Sequence, residues 1–255
     1  MADSFEIITY VSGGYDRCLA ITLPTWLANT SAERIVIYTD GPGNQIREQV
    51  SNDASAKMIE WRQLFNELPE SLPICYERKI VVLLNAFNRC RTTHFCWLDA
   101  DVMATADFKE AFAKMGSNEI GGTRMFNQTV RGKGELNAGV IFFQNKPDLG
   151  TFFLDWMALA KDFKANGNGG RWYEQASASR LIHSAYHGDR SYAAAALSEN
   201  LYNLEDDSSK QWFARIAQYR PKLIHLKGGR WEVPEMLQRL AELTPQIREY
   251  YARKA

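Results

Sequence analysis

His94-Phe95-Cys96-Trp97-Leu98-Asp99-Ala100-Asp101 is the stretch on which the reading of this chain turns. Phe95 to Leu98 form a short apolar run of buried-strand type, and two carboxylates one residue apart follow at once. In an extended or turning backbone, side chains at i and i+2 project to the same side. Asp99 and Asp101 can therefore approach one divalent cation together, and hard oxygen ligands suit Mg²⁺ or Mn²⁺. The tripeptide alone is weak, because two acids after a strand also describe a solvated turn or a helix cap. An EF-hand is excluded. Counted from Asp99, its fifth and sixth positions are Met103 and Ala104, where that loop needs an oxygen ligand and a glycine.

The flanking sequence supplies the frame. Upstream, Ile80, Leu83, Leu84 and Phe87 fall at i, i+3, i+4 and i+7, which predicts an amphipathic helix over Tyr76 to Arg89. Phe5 to Val11 and Arg34 to Thr39 read as buried strands, and Lys57 to Trp61 as a weaker third. Tyr15 to Asn29 reads as a helix disturbed by Pro24. Downstream, Phe108 to Met115 is a short helix, and Glu119 to Thr123 and Leu136 to Gln144 are strands. Leu149 to Phe163 is a long helix, Trp172 to His183 another, Lys222 to Leu226 a late strand, and Pro234 to Ala255 helical. Alternating strands and helices predict an α/β fold in one domain, with parallel pairing and right-handed crossovers. Such sheets bind ligands at the carboxyl ends of their strands, and Asp40 and Asp99 both stand at such ends.

Bulk properties bound the function. The chain has 255 residues, enough for one α/β domain with a sizeable core. Lys plus Arg total 30 and Asp plus Glu total 30, so no broad basic field invites nucleic acid or anionic membrane. Cys18, Cys75, Cys90 and Cys96 form no C-x-x-C pair and read as buried reduced thiols. No signal peptide or membrane-spanning run is visible, and a cytoplasmic location is expected. The sequence leaves the oligomeric state open.

At this point the chain resembles a family. HFCWLDADVMATADF is similar to the central motif of GT-A-fold glycosyltransferases, in which an apolar strand ends in D-x-D. Leu136-Asn137-Ala138-Gly139-Val140 resembles the F-N-A-G-V strand of the glycogenin and bacterial lipooligosaccharide galactosyltransferase family (family 8-like). Glu174-Gln175 resembles that family's later Asp-Gln pair, and His225-Leu226-Lys227-Gly228 its C-terminal H-x-x-G. The resemblance runs from about Phe5 to Trp231. It implies a GT-A, Rossmann-like, mixed and mainly parallel central sheet flanked by helices, in a single domain over residues 1–255. Residues 1–101 would be the nucleotide-binding half, 102–231 the donor-sugar and acceptor half, and 232–255 C-terminal helices.

The resemblance also implies roles. Asp101 would be the principal metal ligand, Asp99 a ligand that also meets the ribose, and His225 the third ligand, holding Mn²⁺ or Mg²⁺. The family's G-x-x-K-P-W becomes Gly228-Gly229-Arg230-Trp231 here, so either Lys227 or Arg230 would grip the diphosphate beside Gly228; Arg can do so bidentately. Thr9 and Tyr10, ending the first strand, would meet the nucleobase, with Asp40 nearby. Lys79 would reach the donor sugar or the first Asp. Asn137 would bond sugar hydroxyls, Glu174 would face the sugar or acceptor hydroxyl, and Gln175 the anomeric face. For His225 the competing reading is a packed core residue, and for Glu174-Gln175 a solvated first helical turn.

The expected reaction is transfer of a sugar, with UDP-hexose as the default donor, from a nucleoside diphosphate to a hydroxyl acceptor such as a glycan, with retention at the anomeric carbon. Loops at Arg124 to Gly134 and Asn166 to Arg171 are expected to border the acceptor. One rival is a sugar-phosphate nucleotidyltransferase, but Val11-Ser12-Gly13-Gly14-Tyr15-Asp16-Arg17 lacks its G-x-G-T-R-like loop. The other is a non-catalytic binding module on the same fold.

Overall fold

Every residue of Phe5–Val11 is buried, which an amphipathic surface strand would not allow. The reason is that both faces of this strand are covered. Phe5, Ile7 and Val11 enter one apolar cluster, and Ile8 and Tyr10 enter the other. The neighbouring strand repeats the pattern, with Ile35 and Ile37 on one side and Val36 and Tyr38 on the other. The computed structural model describes residues 4–11, 15–39, 58–63, 76–130, 133–168, 173–182, 192–205 and 212–226, with isolated positions between 238 and 253. For residues 76, 124–130, 133–135, 212 and 213 it describes the backbone alone.

The strands are β1 (Phe5–Val11), β2 (Arg34–Thr39), β3 (Ile59–Gln63), β4 (His94–Leu98), β5 (Val102–Ala104), β6 (Ile120–Val130), β7 (Lys133–Gln144), β8 (Ala194–Leu197), β9 (Leu204–Glu205) and β10 (Leu223–His225). The helices are α1 (Tyr15–Asn29), α2 (Tyr76–Arg89), α3 (Glu110–Lys114), α4 (Leu149–Ala165), α5 (Tyr173–Ile182), α6 (Glu199–Tyr202) and α7 (Trp212–Tyr219). Seven strands form the main sheet in the order β3-β2-β1-β4-β7-β6-β8. β3, β2, β1 and β4 run parallel, β7 is antiparallel to β4 and β6, and β8 is parallel to β6. This is the mixed, mainly parallel sheet expected, and helices flank it. A second sheet has the order β5-β10-β9. Its strands β5 and β9 carry two or three residues each, too few for a periodic signal, and the sequence reading did not find them.

Two other expectations change. Of the loop expected at Arg124 to Gly134, residues 124–130 instead belong to β6 and 133–134 to β7, while 131 and 132 lie outside the described residues. Register shifts between Gly122 and Arg124, and again between Met125 and Thr129, break the alternation by which a strand is recognised. Helix α1 also runs unbroken through Pro24. Pro24 is exposed, so the carbonyl it leaves without a donor lies on the watery side of the helix. Asp40, Cys75, Lys227, Gly228 and Arg230 lie outside the described residues, as does most of Pro234 to Ala255.

The short strand β5 borders the Asp-Ala-Asp turn, and α1 secures it. One edge of β5 pairs with β10, Val102 opposite His225. Among the described residues the other edge has no strand beside it, and α1 supplies side chains instead. Thr22 Oγ1 donates to the Ala100 carbonyl at 2.7 Å, Trp26 Nε1 to Val102 O at 2.8 Å, and Asn29 Nδ2 to Ala104 O at 2.8 Å. The Ala104 N–H donates back to Thr25 Oγ1 at 3.0 Å. Positions 22, 25, 26 and 29 share one helix face, and carbonyls 100, 102 and 104 share one strand edge. The buried side of α1 is therefore partly polar.

Among the described residues no helix is long and apolar enough to cross a membrane. Cys18 and Cys96 are buried thiols and Cys90 is a half-buried one. Burial, reinforced by Asp101 and Asp16, pushes the Cys18 thiol up to about 12, so it stays protonated and inert.

Thr22→Val keeps the side-chain shape but leaves the buried Ala100 carbonyl without its donor. Urea unfolding should show a loss of about 1–3 kcal/mol, the usual cost of one such orphaned group. An unchanged unfolding midpoint would mean that this bond does not hold the turn.

Candidate metal centre

Strand β4 ends at Leu98 and the chain turns, with the Val102 N–H donating to the Asp99 carbonyl at 3.0 Å. This turn presents Asp99 and Asp101 on one side, facing His225 on β10. His225 Nε2 lies 3.3 Å from Asp101 Oδ1 and 3.9 Å from Asp99 Oδ2. The Leu226 N–H donates to the Asp101 carbonyl at 3.1 Å, tying the end of β10 to the same turn. One ligand atom from each of Asp99, Asp101 and His225 lies within 4.8 Å of the others, so the three form a group able to hold a metal ion. Two carboxylate oxygens and one imidazole nitrogen, with Asp99 still 30% exposed, suit an ion that is also shared with a ligand.

The close approach of His225 depends on a glycine. The Asp99 N–H donates to the Gly139 carbonyl at 2.9 Å, where β7 runs past the end of β4. The His225 ring lies over that glycine. A Cβ on Gly139 would sit 2.1 Å from His225 Cε1 and 2.7 Å from its Nδ1, well inside contact distance. The Asn-Ala-Gly stretch therefore serves the centre by leaving room for it.

Asp99 is held from behind. Trp97 Nε1 donates to Asp99 Oδ1 at 2.6 Å, and Lys79 Nζ lies 3.2 Å from the same oxygen. Asp99 Oδ2 is thereby turned toward His225. Lys79 also stands over the Trp97 ring at 5.3 Å, donates to the Ala138 carbonyl at 3.0 Å, and meets Glu174 Oε1 at 3.4 Å. Its neighbour Arg78 leaves in another direction, donating from Nη1 to the Tyr10 hydroxyl at 2.7 Å.

Glu174 and Gln175 open α5 and are both buried. Trp156 Nε1 and Ser177 Oγ both donate to the Glu174 carbonyl, at 2.7 and 2.9 Å, which anchors this first turn. Glu174 is 2% exposed, and its Oε2 has no hydrogen-bond partner among the described residues. Burial pushes the Glu174 carboxyl above its ordinary range; Lys79 opposes the rise and Asp99 adds to it. Gln175 Oε1 accepts from the Ala138 N–H at 3.0 Å, and Ser179 Oγ from the Leu136 N–H at 2.9 Å. Asn137 Oδ1 accepts from the Gly139 N–H at 2.8 Å, while its Nδ2 donates to Glu205 Oε1.

The structure thus gathers Asp99, Asp101, His225, Lys79, Asn137, Glu174 and Gln175 into one region. Thr9 and Tyr10 stand at the end of β1, next to β4, and the buried Thr9 Oγ1 also lacks a partner among the described residues. Three neighbours of the site escaped the sequence reading. Trp97 could have been found, since it precedes Asp99 by two and shares its side of the strand. Asn203, whose Oδ1 lies 3.2 Å from His225 Nδ1, and Glu205 follow a four-residue helix and leave no local signal.

The centre is electronegative. Burial works against a charge on His225, but Asp101, by charge and hydrogen bond, with Asp99 and Glu205, outweighs it and raises the imidazole above its ordinary 6.5. A proton and a metal ion therefore compete for the same place. Mn²⁺ binding, followed by electron paramagnetic resonance, should weaken as pH falls through this raised value, with about one proton displaced per ion bound. Equal affinity at about pH 8 and about pH 6 would remove His225 from the ligand set. Gly139→Ala should push the ring aside and weaken Mn²⁺ about tenfold or more with the fold intact by circular dichroism, the scale of a lost ligand orientation.

No protein-family model and no curated protein matches the chain. Solved structures do. The apo structure of the bifunctional glycosyltransferase WbbM superposes with a TM-score of 0.62 at 13% identity, over 99% of this chain and 52% of that one. The glycosyltransferase GlyE of Streptococcus pneumoniae TIGR4 superposes with a TM-score of 0.61 at 14% identity, over 98% of this chain and 64% of that one. The chain spans about half the length of the first and under two thirds of the second. At such identities the likeness is one of fold, and this chain shares the fold of these two structures.

Proposed function

We propose that the chain is a metal-dependent, GT-A glycosyltransferase, akin to the glycogenin and lipooligosaccharide galactosyltransferase family, which moves a hexose from UDP-hexose to a hydroxyl acceptor with retention. The observation that carries this reading is the meeting of Asp99, Asp101 and His225 at the end of β4, in a fold shared with glycosyltransferases. The mixed oxygen and nitrogen donor set favours Mn²⁺ over Mg²⁺, because imidazole suits transition metals. Bound there, the ion would neutralise charge on the departing nucleoside diphosphate.

The chain's own residues do the rest. Lys79 and Trp97 orient Asp99. Glu174 Oε2, buried without a partner among the described residues, is an acceptor aimed at a sugar hydroxyl. Gln175, whose oxygen accepts from the Ala138 N–H, is held at the start of α5 on the side assigned to the anomeric carbon. The retaining outcome fits this arrangement. An inverting enzyme needs a carboxylate that takes a proton from the acceptor. Glu174 is instead enclosed and paired with Lys79. Thr9, Tyr10 and Asp40 belong to the nucleoside side of this proposal, and Lys227, Gly228 and Arg230, which follow directly on the tethered Leu226, to the diphosphate. The C-terminal half is assigned to the acceptor.

UDP with Mn²⁺ at a hundredfold over its Kd should stabilise the protein by about 2.7 kcal/mol, which raises Tm by about 5–11 °C for a chain of this size. A nucleoside triphosphate should not do this. Asp101→Ala should remove the Mn²⁺-dependent part of the shift. Stabilisation by the triphosphate instead would mark a nucleotidyltransferase. Proton NMR of the first-formed glycoside tests the stereochemistry, and an inverted anomer would refute retention.

A further inference from the structure

Asn203 is completely buried between α6 and β9, and it joins the two sheets through one amide. Its backbone N–H donates to the Glu199 carbonyl at 2.9 Å, which fixes the residue at the end of the short helix. Its Nδ2 donates to the hydroxyl of buried Thr123, on β6 of the large sheet, at 2.8 Å. Its Oδ1 then faces His225 Nδ1, on β10 of the small sheet, at 3.2 Å.

An amide oxygen only accepts, so the ring nitrogen opposite it must carry the hydrogen. A neutral imidazole has one hydrogen, and Nε2 is then left with its lone pair. That nitrogen is the one 3.3 Å from Asp101 Oδ1. The ring edge with Cε1 and Nδ1 packs toward Gly139, where a Cβ would fall 2.1 Å from Cε1 and 2.7 Å from Nδ1. We propose that Asn203 is a positioning residue that holds His225 as the Nδ1–H tautomer and so keeps the Nε2 lone pair directed at a divalent cation between Asp99 and Asp101. The inference rests on the reading of His225 as a metal ligand. It adds that Thr123 and Asn203 carry the orientation from the large sheet into the centre. With the amide turned over, Nδ2 would donate to Nδ1, the hydrogen would move to Nε2, and the carboxylates would face N–H instead of a lone pair.

Two measurements on the full chain decide this. The first is a long-range proton–nitrogen NMR correlation on native protein loaded with diamagnetic Zn²⁺, which displaces the hydrogen that Nε2 otherwise shares with Asp101. The chain has four histidines, and the His225 signals are assigned by their loss in His225→Gln. Hydrogen on Nδ1 and none on Nε2 is expected; hydrogen on Nε2 overturns the proposal without any Asn203 variant having to fold. The second is Mn²⁺ titration by electron paramagnetic resonance. Asn203→Leu, close in volume but with no acceptor, should bind roughly 10- to 100-fold more weakly, and Asn203→Asp, which keeps the acceptor, should bind as the native chain does. Native affinity in Asn203→Leu beside lost affinity in His225→Gln would refute the role of Asn203 alone. Native affinity in His225→Gln would instead refute the metal-centre reading beneath it.

Discussion

A strand can stop inside a sheet only if its neighbour's backbone finds other partners. β4 ends at Leu98, paired with Val140, while β7 continues on the far side of Gly139. Each buried backbone group left over costs about 1–3 kcal/mol if it stays unpaired. Here side chains take them up. Ser179 accepts the Leu136 N–H, Gln175 the Ala138 N–H, and Lys79 donates to the Ala138 carbonyl. The early end of β4 opens the space for a ligand. The groups that repair the break are, for the most part, the polar groups that line it. The far side of the turn repeats the solution, with Thr22, Thr25, Trp26 and Asn29 standing in for a missing strand beside β5.

This coupling explains how charged residues come to be buried here. Lys79 is tolerated because Asp99, Glu174, the Ala138 carbonyl and the Trp97 ring all receive it. Asp101 is tolerated because His225 stands opposite. Asp99, Asp101, Glu174 and Glu205 nonetheless outnumber Lys79 and His225. The raised His225 imidazole is one expression of that surplus, and affinity for a cation is another.

Much of this was legible in the sequence. Arg34–Thr39, Tyr76–Arg89 and His94–Leu98 have the bounds that apolar patterning gives them. Asp99, Asp101 and His225, distant in sequence, could be named together because D-x-D and the late His-Leu-Lys-Gly resemble one family's motifs; the pairing of β5 with β10 brings them together. Several of the unread parts carry no such mark. β5, β9 and α6 are too short for any period to show. On α1, Thr22 and Thr25 look in sequence like surface residues, yet both are buried against another segment's backbone. Asn203 and Glu205 act across sheets, and single-sequence patterning contains no term for that. The β6–β7 arms were misread for a different reason, since their bulges erase the alternation.

The placement of β5 has a consequence for how the chain is made. Thr105 bonds to Pro221, 116 residues further on, and among the described residues β5 pairs with β10 alone. On a ribosome adding about 5–20 residues per second, that partner arrives roughly 6–23 s after β5 has emerged. The helix α1 is synthesised earlier than β5, and it can occupy one edge of β5 as soon as both have left the exit tunnel. β5 thus waits with one open edge, three residues long, and the acidic turn beside it already anchored. Closing that edge and supplying the imidazole are one event, so a chain that has completed its small sheet has also completed its centre.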